Sequence, residues 1–177
     1  YSHVLVSAPP TPDGSDPAFD ALTARLDLGA LNWVGYLSTT GVYGDHNGAW
    51  IDEETPPGPL GARGQRRAAA EQRWSEFGDA HGLSVQHFRL AGIYGPKRNA
   101  LAALRAGTAR RIIKPGQVFS RVHVDDIANI LFAALHSDIG TRNFSVCDDE
   151  PAPPADVVAY AAALLGVDPP PSQNFED

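Results

Sequence analysis

The sequence predicts an α/β protein: a parallel sheet with helices packed against it, and a smaller α+β lobe toward the C-terminus. Three observations carry this expectation. Strand-length runs at His3–Val6, Trp33–Thr39 and Leu83–Leu90 each end in small or hydroxyl residues, namely Ser7-Ala8-Pro9, Ser38-Thr39-Thr40-Gly41 and Ala91-Gly92. Short apolar runs that stop at turn signals fit strands buried on both faces, as in parallel sheets. Helical segments separate the runs, which is the strand–helix–strand order of a parallel unit. In open α/β sheets ligands bind just past the carboxyl ends of the strands, so Trp33–Gly44, with its Ser/Thr cluster, becomes the candidate site.

The elements follow in order. His3–Val6 is a short strand stopped by Pro9 and Pro10. Thr11–Pro17 is a turn-rich loop, and Asp16 is placed to cap a helix opened by Pro17. Phe19, Leu22, Leu26 and Leu28 give that helix its apolar stripe, and Gly29 closes it. Trp33–Thr39 is the second strand. Residues 44–61 form a long loop, a length that usually marks function or mobility. Residues 62–80, rich in Ala, Arg, Glu and Gln, predict a long helix with Trp74 and Phe77 on one face. Leu83–Leu90 is the third strand, and residues 91–96 read as a turn. Beyond Pro96 come a short helix at 99–106, an edge strand at 110–114, and a strand-like link at 119–124. A helix at 127–135 follows, capped by Asp125 or Asp126, with Ile127, Ile130, Leu131, Ala134 and Leu135 on one face. Asn143–Cys147 is a short strand. Pro153 and Pro154 open a last helix that Gly166 ends, and no clear element follows it.

Composition sets outer bounds. The chain has 177 residues, 43% of them hydrophobic and 20% charged, which suits one sizeable core or a domain with a small lobe. A net charge of −7 argues against bulk binding to nucleic acid or an anionic membrane. No apolar run approaches a membrane span, the first residues lack a secretion-signal pattern, and the lone Cys147 cannot form an internal disulfide. A reducing cytoplasm is therefore expected. The chain opens directly into strand-like sequence and contains no Met, so it is expected to be part of a longer protein.

Single motifs are weak. No GxGxxG, HExxH, paired CxxC or GxSxG is present. The six histidines lack ligand spacing, so no metal is expected. Arg63, Arg66 and Arg67 crowd the start of the 62–80 helix, where cations oppose the macrodipole. That conflict points to an anionic partner, or to nothing more than a solvated face.

Taken together the motifs are specific. Leu37-Ser38-Thr39-Thr40-Gly41-Val42-Tyr43-Gly44, Asp52-Glu53-Glu54-Thr55-Pro56 with Pro59, Phe88-Arg89-Leu90-Ala91-Gly92-Ile93-Tyr94-Gly95-Pro96, and Phe119–Ala128 (FSRVHVDDIA) stand in an order and spacing that resembles the extended short-chain dehydrogenase/reductase group, the NAD-dependent epimerase/dehydratase family. Asn143-Phe144-Ser145-Val146 matches the strand that usually follows, and the nearest resemblance is to an atypical bacterial subgroup of NAD(P)-binding proteins. The resemblance implies a Rossmann-like fold of which this chain carries the C-terminal half. Residues 1–96 would be the second half of the NAD(P)-binding domain. Residues 97–177 would be mainly substrate lobe, with 119–137 returning to the Rossmann domain.

The resemblance also implies site roles. Thr39 falls at the catalytic Ser/Thr. Ser7, Ala8, Pro9, Leu37, Ser38, Leu90, Ala91, Gly92 and Ile93 would flank NAD or NADP, with the choice between the two left open. The family's Tyr and Lys of YxxxK are replaced by Arg63 and Arg67. Arg stays protonated in proteins, so Arg63 cannot be the acid/base, although Arg67 could still hold ribose hydroxyls. Tyr43 is then the substitute acid/base, with Asp45 and His46 in reserve, while Arg63 and Arg121 would bind an anionic or nucleotide-linked small molecule. Homodimerisation through the long helices beside the site is a further implication. The competing reading is a non-catalytic NAD(P)-binding sensor or interaction protein on the same fold.

Overall fold

The computed structural model describes residues 1–25 and 29–175. Four parallel strands form the main sheet: β1 (His3–Val6), β2 (Trp33–Thr39), β3 (Ser84–Leu90) and β7 (Arg142–Val146), in the order β1-β2-β3-β7. Helices α1 (Pro17–Thr23) and α2 (Ala62–His81) cover one face and α4 (Val124–Leu135) the other. This is a Rossmann-like parallel α/β sheet, as the strand runs predict.

The alternation of side chains along β2 and β3 sorts the two faces. On the α1/α2 face, Val34, Tyr36 and Val85 pack with Val6, Ala70 and Trp74, and Phe19 meets the Trp74 ring edge-on at 4.8 Å between centroids. Trp74 is fully buried in the middle of α2. On the opposite face, Trp33, Phe88, Leu90 and Val146 pack with Val122, Ile127 and Ala134, and Phe88 stacks on Phe144 at 5.1 Å. A Cβ at Gly35 would enter the Trp33 ring, so the strand needs glycine beneath that indole.

The chain leaves this sheet after Leu90. β4 (Gly92–Tyr94) pairs in parallel with β6 (Arg121–His123), and β5 (Arg111–Ile113) pairs with β8 (Ser172–Asn174). α3 (Ala100–Arg105) and α5 (Pro154–Leu165) pack together beside this second region. The chain returns to the main sheet through Val146, because β7 pairs with β3.

Several sequence expectations need correction. α1 ends at Thr23 with Ala24 as its cap, not at Gly29; Leu26 and Leu28 lie outside the described residues. Residues 91–96 are not only a turn, because β6 gives Gly92–Tyr94 a ladder partner. α4 starts at Val124 and is capped by His123, whose Nδ1 accepts the Asp125 N–H at 3.2 Å. Asp125 and Asp126 instead occupy the first turn, where negative charge complements the helix dipole. The stretch after α5 does hold an element, β8, which is exposed and polar and so carries no apolar signal.

Candidate active site at the carboxyl end of the parallel sheet

β2 ends in the predicted Ser/Thr cluster, and its last three residues have different surroundings. Thr39 is extended, and its hydroxyl oxygen accepts the Gly41 N–H at 3.1 Å, which starts the 3-10 turn Thr40–Val42. Bound this way, the Thr39 hydroxyl keeps its own proton free to donate to a ligand oxygen. Ser38 points to the opposite face, is buried, and donates its hydroxyl to Glu71 of α2. Leu37 offers its carbonyl to Arg67 Nη1.

Glu71 is the centre of a buried polar network. Arg89 Nη2 donates to its Oε2 at 2.8 Å, and Arg89 Nε reaches both carboxylate oxygens at 3.2 and 3.3 Å. Glu71 is 5% exposed and Arg89 3%. Burial alone would lower the Arg89 pKa, but its hydrogen bonds to Glu71 and Tyr43 outweigh that and raise it. The guanidinium lies 4.7 Å from the centroid of the Tyr43 ring, a cation–π contact. Tyr43 OH shares a 2.7 Å hydrogen bond with Ser145 Oγ, and the Ser145 N–H donates to Glu53 of the long loop at 2.8 Å. Ser38, Arg89 and Ser145 are register partners across β2, β3 and β7. The network is therefore one polar row across the sheet.

The second row beneath it is also polar. Tyr36, His87 and Asn143 are register partners, and His87 Nδ1 bonds Asn143 Oδ1 at 2.9 Å. Burial pushes the Tyr36 phenol up to about 12 and pulls the His87 imidazole down.

The other predicted site residues fall as follows. Ser7, Ala8 and Pro9 are exposed just past β1. Leu90 and Ala91 are buried, Gly92 is exposed and Ile93 half-buried. Their backbone is already engaged, with Ala91 N–H on the Val146 carbonyl and Gly92 N–H on that of Ser120. Arg63 is exposed in the first turn of α2. Arg67 is 8% exposed and lies 5.4 Å from the Tyr36 ring centroid. Arg121 Nη1 bonds the carbonyls of Phe119 and Ala152 at 3.0 and 3.2 Å, so one end of this predicted anion ligand also ties two segments together. His46 is exposed, with Nε2 3.1 Å from the Tyr43 carbonyl oxygen, and Asp45 caps its own loop through the Asn47 N–H. Tyr43 is 1% exposed, so its hydroxyl sits behind the strand end rather than at its surface.

The sequence reading missed Glu71, Arg89 and Ser145 as partners of the site. A signal was present. Arg67 and Glu71 stand four apart on one helix face, and Arg89 is a charge in a strand that must be buried on both sides. Past β3 lies a cleft of about 440 Å³ lined by Tyr94, Asp126, Asn129, Cys147 and Asp148. The Asp148 hydrogen bond raises the Tyr94 pKa, while partial burial and the nearby Asp148 charge raise that of Cys147. Among the described residues no cluster of metal-ligating side chains is found, and no helix is long and apolar enough to cross a membrane.

Residues 21–147 match the family model described as the NAD dependent epimerase/dehydratase family. The chain belongs to this family. It is 32% identical over 144 residues to Protein YeeZ of Escherichia coli K12, covering 80% of this chain and 49% of the relative. It is 34% identical over 131 residues to a 3-diazoavenalumate denitrifying reductase of a Streptomyces species, covering 68% of this chain and 42% of the relative. Among solved structures, a functionally unknown conserved protein from Silicibacter pomeroyi is 51% identical, with a TM-score of 0.90 over 99% of this chain and 62% of that one. The chain thus spans about half the length of the curated relatives it matches. The family's cofactor class is NAD(P).

Proposed function

We propose that this chain is the strand-end half of an NAD(P)-dependent oxidoreductase or epimerase whose proton relay departs from the family's tyrosine–lysine pair. The observation that carries the reading is Thr39 at the carboxyl end of a parallel strand, with its hydroxyl proton uncommitted. Thr39 would orient a substrate oxygen. Arg63, exposed in the first turn of α2 and always charged, would hold an anionic or nucleotide-linked group. The residues present fit a cofactor in part. Ser7–Pro9 and Gly92 are exposed beside two strand ends, whereas Arg67, which the resemblance puts at the family's lysine, already serves the Leu37 carbonyl. When bound, the nicotinamide would accept or supply a hydride. A proton at the substrate oxygen would pass by way of the Thr39 hydroxyl and solvent, because Tyr43 is buried against Ser145.

The test is the full-length polypeptide with NADH and NADPH against ketones and nucleotide sugars. Thr39→Ala should lower kcat by about 10²-fold with little change in cofactor affinity. Unchanged turnover in that variant would remove Thr39 from the mechanism. A second reading, a non-catalytic NAD(P)-binding sensor, draws support from the same burial of Tyr43 and from arginine at both relay positions. Cofactor binding without hydride transfer to any substrate in the panel is the result that would favour it.

A further inference from the structure

Strand β1 stops one strand-end short of the site. Its ladder with β2 ends at Val6, opposite Tyr36. Leu37, Ser38 and Thr39 therefore have a strand neighbour on the β3 side alone. Helix α2 reaches these residues with two side chains one turn apart. Arg67 donates to the Leu37 carbonyl and Glu71 accepts from the Ser38 hydroxyl. Arg67 is buried against the Tyr36 ring, and Glu71 is fixed by its fork to Arg89.

We propose that Arg67 and Glu71 are positioning residues that clamp the end of β2, and that Arg67 acts on the Leu37–Thr39 backbone and not on a cofactor ribose. The proposal rests on reading Thr39 as the substrate-facing residue. Its chemistry suits arginine. A planar guanidinium donates to a carbonyl along its edge while its face lies on an aromatic ring, and it stays charged when buried. A lysine ammonium is a compact point charge that matches one of those demands at a time. At this position the guanidinium therefore serves the strand itself. Two buried charges of opposite sign, four apart on α2, hold the two residues that precede Thr39.

The test uses the full-length polypeptide and two readouts. In the first, amide hydrogen exchange is followed across Leu37–Gly41 in the wild type, Arg67→Met, Arg67→Lys and Glu71→Gln. Arg67→Met and Glu71→Gln should speed exchange there by about tenfold or more while α5 keeps its protection. Exchange unchanged in both variants overturns the clamp. In the second, NADH and NADPH binding is titrated by nucleotide fluorescence. Arg67→Met should hold the dissociation constant within about threefold of wild type, and a folded variant weakened by tenfold or more returns Arg67 to the cofactor and overturns the assignment. If Arg67→Met does not fold, Arg67→Lys reads both arms, with faster exchange and unchanged cofactor affinity expected. A wild-type protein that binds neither nucleotide defeats the proposed function, while the exchange arm still decides the clamp.

Discussion

Truncating Glu71 to alanine should destabilise the fold by about 3–5 kcal/mol, the cost of breaking a buried ion pair from one side. The structure explains why the cost cannot be evaded. Arg89 is 3% exposed and a guanidinium stays protonated in proteins, so it cannot shed its charge when its partner is lost. Among the described residues its Nε and Nη2 donate to the Glu71 carboxylate and its Nη1 has no hydrogen-bond partner, so Glu71 is its one carboxylate. Ser38 loses its acceptor at the same time. The assay is urea unfolding of the full-length protein, with the denaturant slope checked for constancy. Removing both charges, Glu71→Leu with Arg89→Met, should recover most of the loss, because well-packed apolar replacements of buried pairs are often neutral or better. A loss below about 1 kcal/mol for Glu71→Ala, or a double variant no more stable than the single, would refute the claim that this pair is a dry, mutually dependent unit.

Three further outcomes are expected. His87 titrates lower in the fold than in the unfolded chain because it is buried, so the unfolded state takes up the proton first as pH falls. Its stabilising contribution is complete above its unfolded value of about 6.5 and is lost below it, by at most about 1.4 kcal/mol per pH unit. Unfolding measured from pH 8 to pH 5 should show that slope in the wild type and lack it in His87→Gln. Gly44 has φ +85°, and a Cβ there would strike the Gly58 carbonyl, so Gly44→Ala should cost about 1–3 kcal/mol and loosen the 44–61 loop in proteolysis; unchanged cleavage would count against it. Tyr43→Phe should lower stability by about 1 kcal/mol through the lost Ser145 bond and leave kcat within a few-fold. A 10²-fold loss of kcat with intact stability would instead make Tyr43 the acid/base.

How far the sequence could be read depended on how locally each feature is encoded. β2 was legible because Trp33, Val34, Tyr36 and Leu37 form a run that stops at Ser38, and α2 because its composition and Gly82 mark it out. β4 and β8 have three residues each, and their identity lies in partners far along the chain, whereas β5, equally short, is legible as the edge strand expected at 110–114. The His123 cap is not legible because acidic residues outrank histidine as caps on propensity, and β6 runs directly into the helix at Val124, three residues before Ile127. Arg67 was visible as an oddity at a relay position. Its job was not, because the Leu37 carbonyl becomes available only once β1 ends at Val6.

The two faces of β2 divide the work at this strand end. Alternation sends Ser38 toward α2 and Thr39 away from it. The Ser38 side is closed, with Glu71, Arg89, Tyr43 and Ser145 satisfying one another inside the protein. A polar row of this kind is costly to bury and is tolerated only when nearly every member has a partner. Once satisfied, it fixes the heights of β2, β3 and β7 relative to one another at their carboxyl ends, because Ser38, Arg89 and Ser145 are register partners. The Thr39 side is left with a free hydroxyl proton and no charged neighbour of its own element. On α2, Arg67 is turned inward to the Leu37 carbonyl, while Arg63 is left exposed. In the proposed function this division leaves the Thr39 hydroxyl held still by the Gly41 N–H, with solvent as the acid.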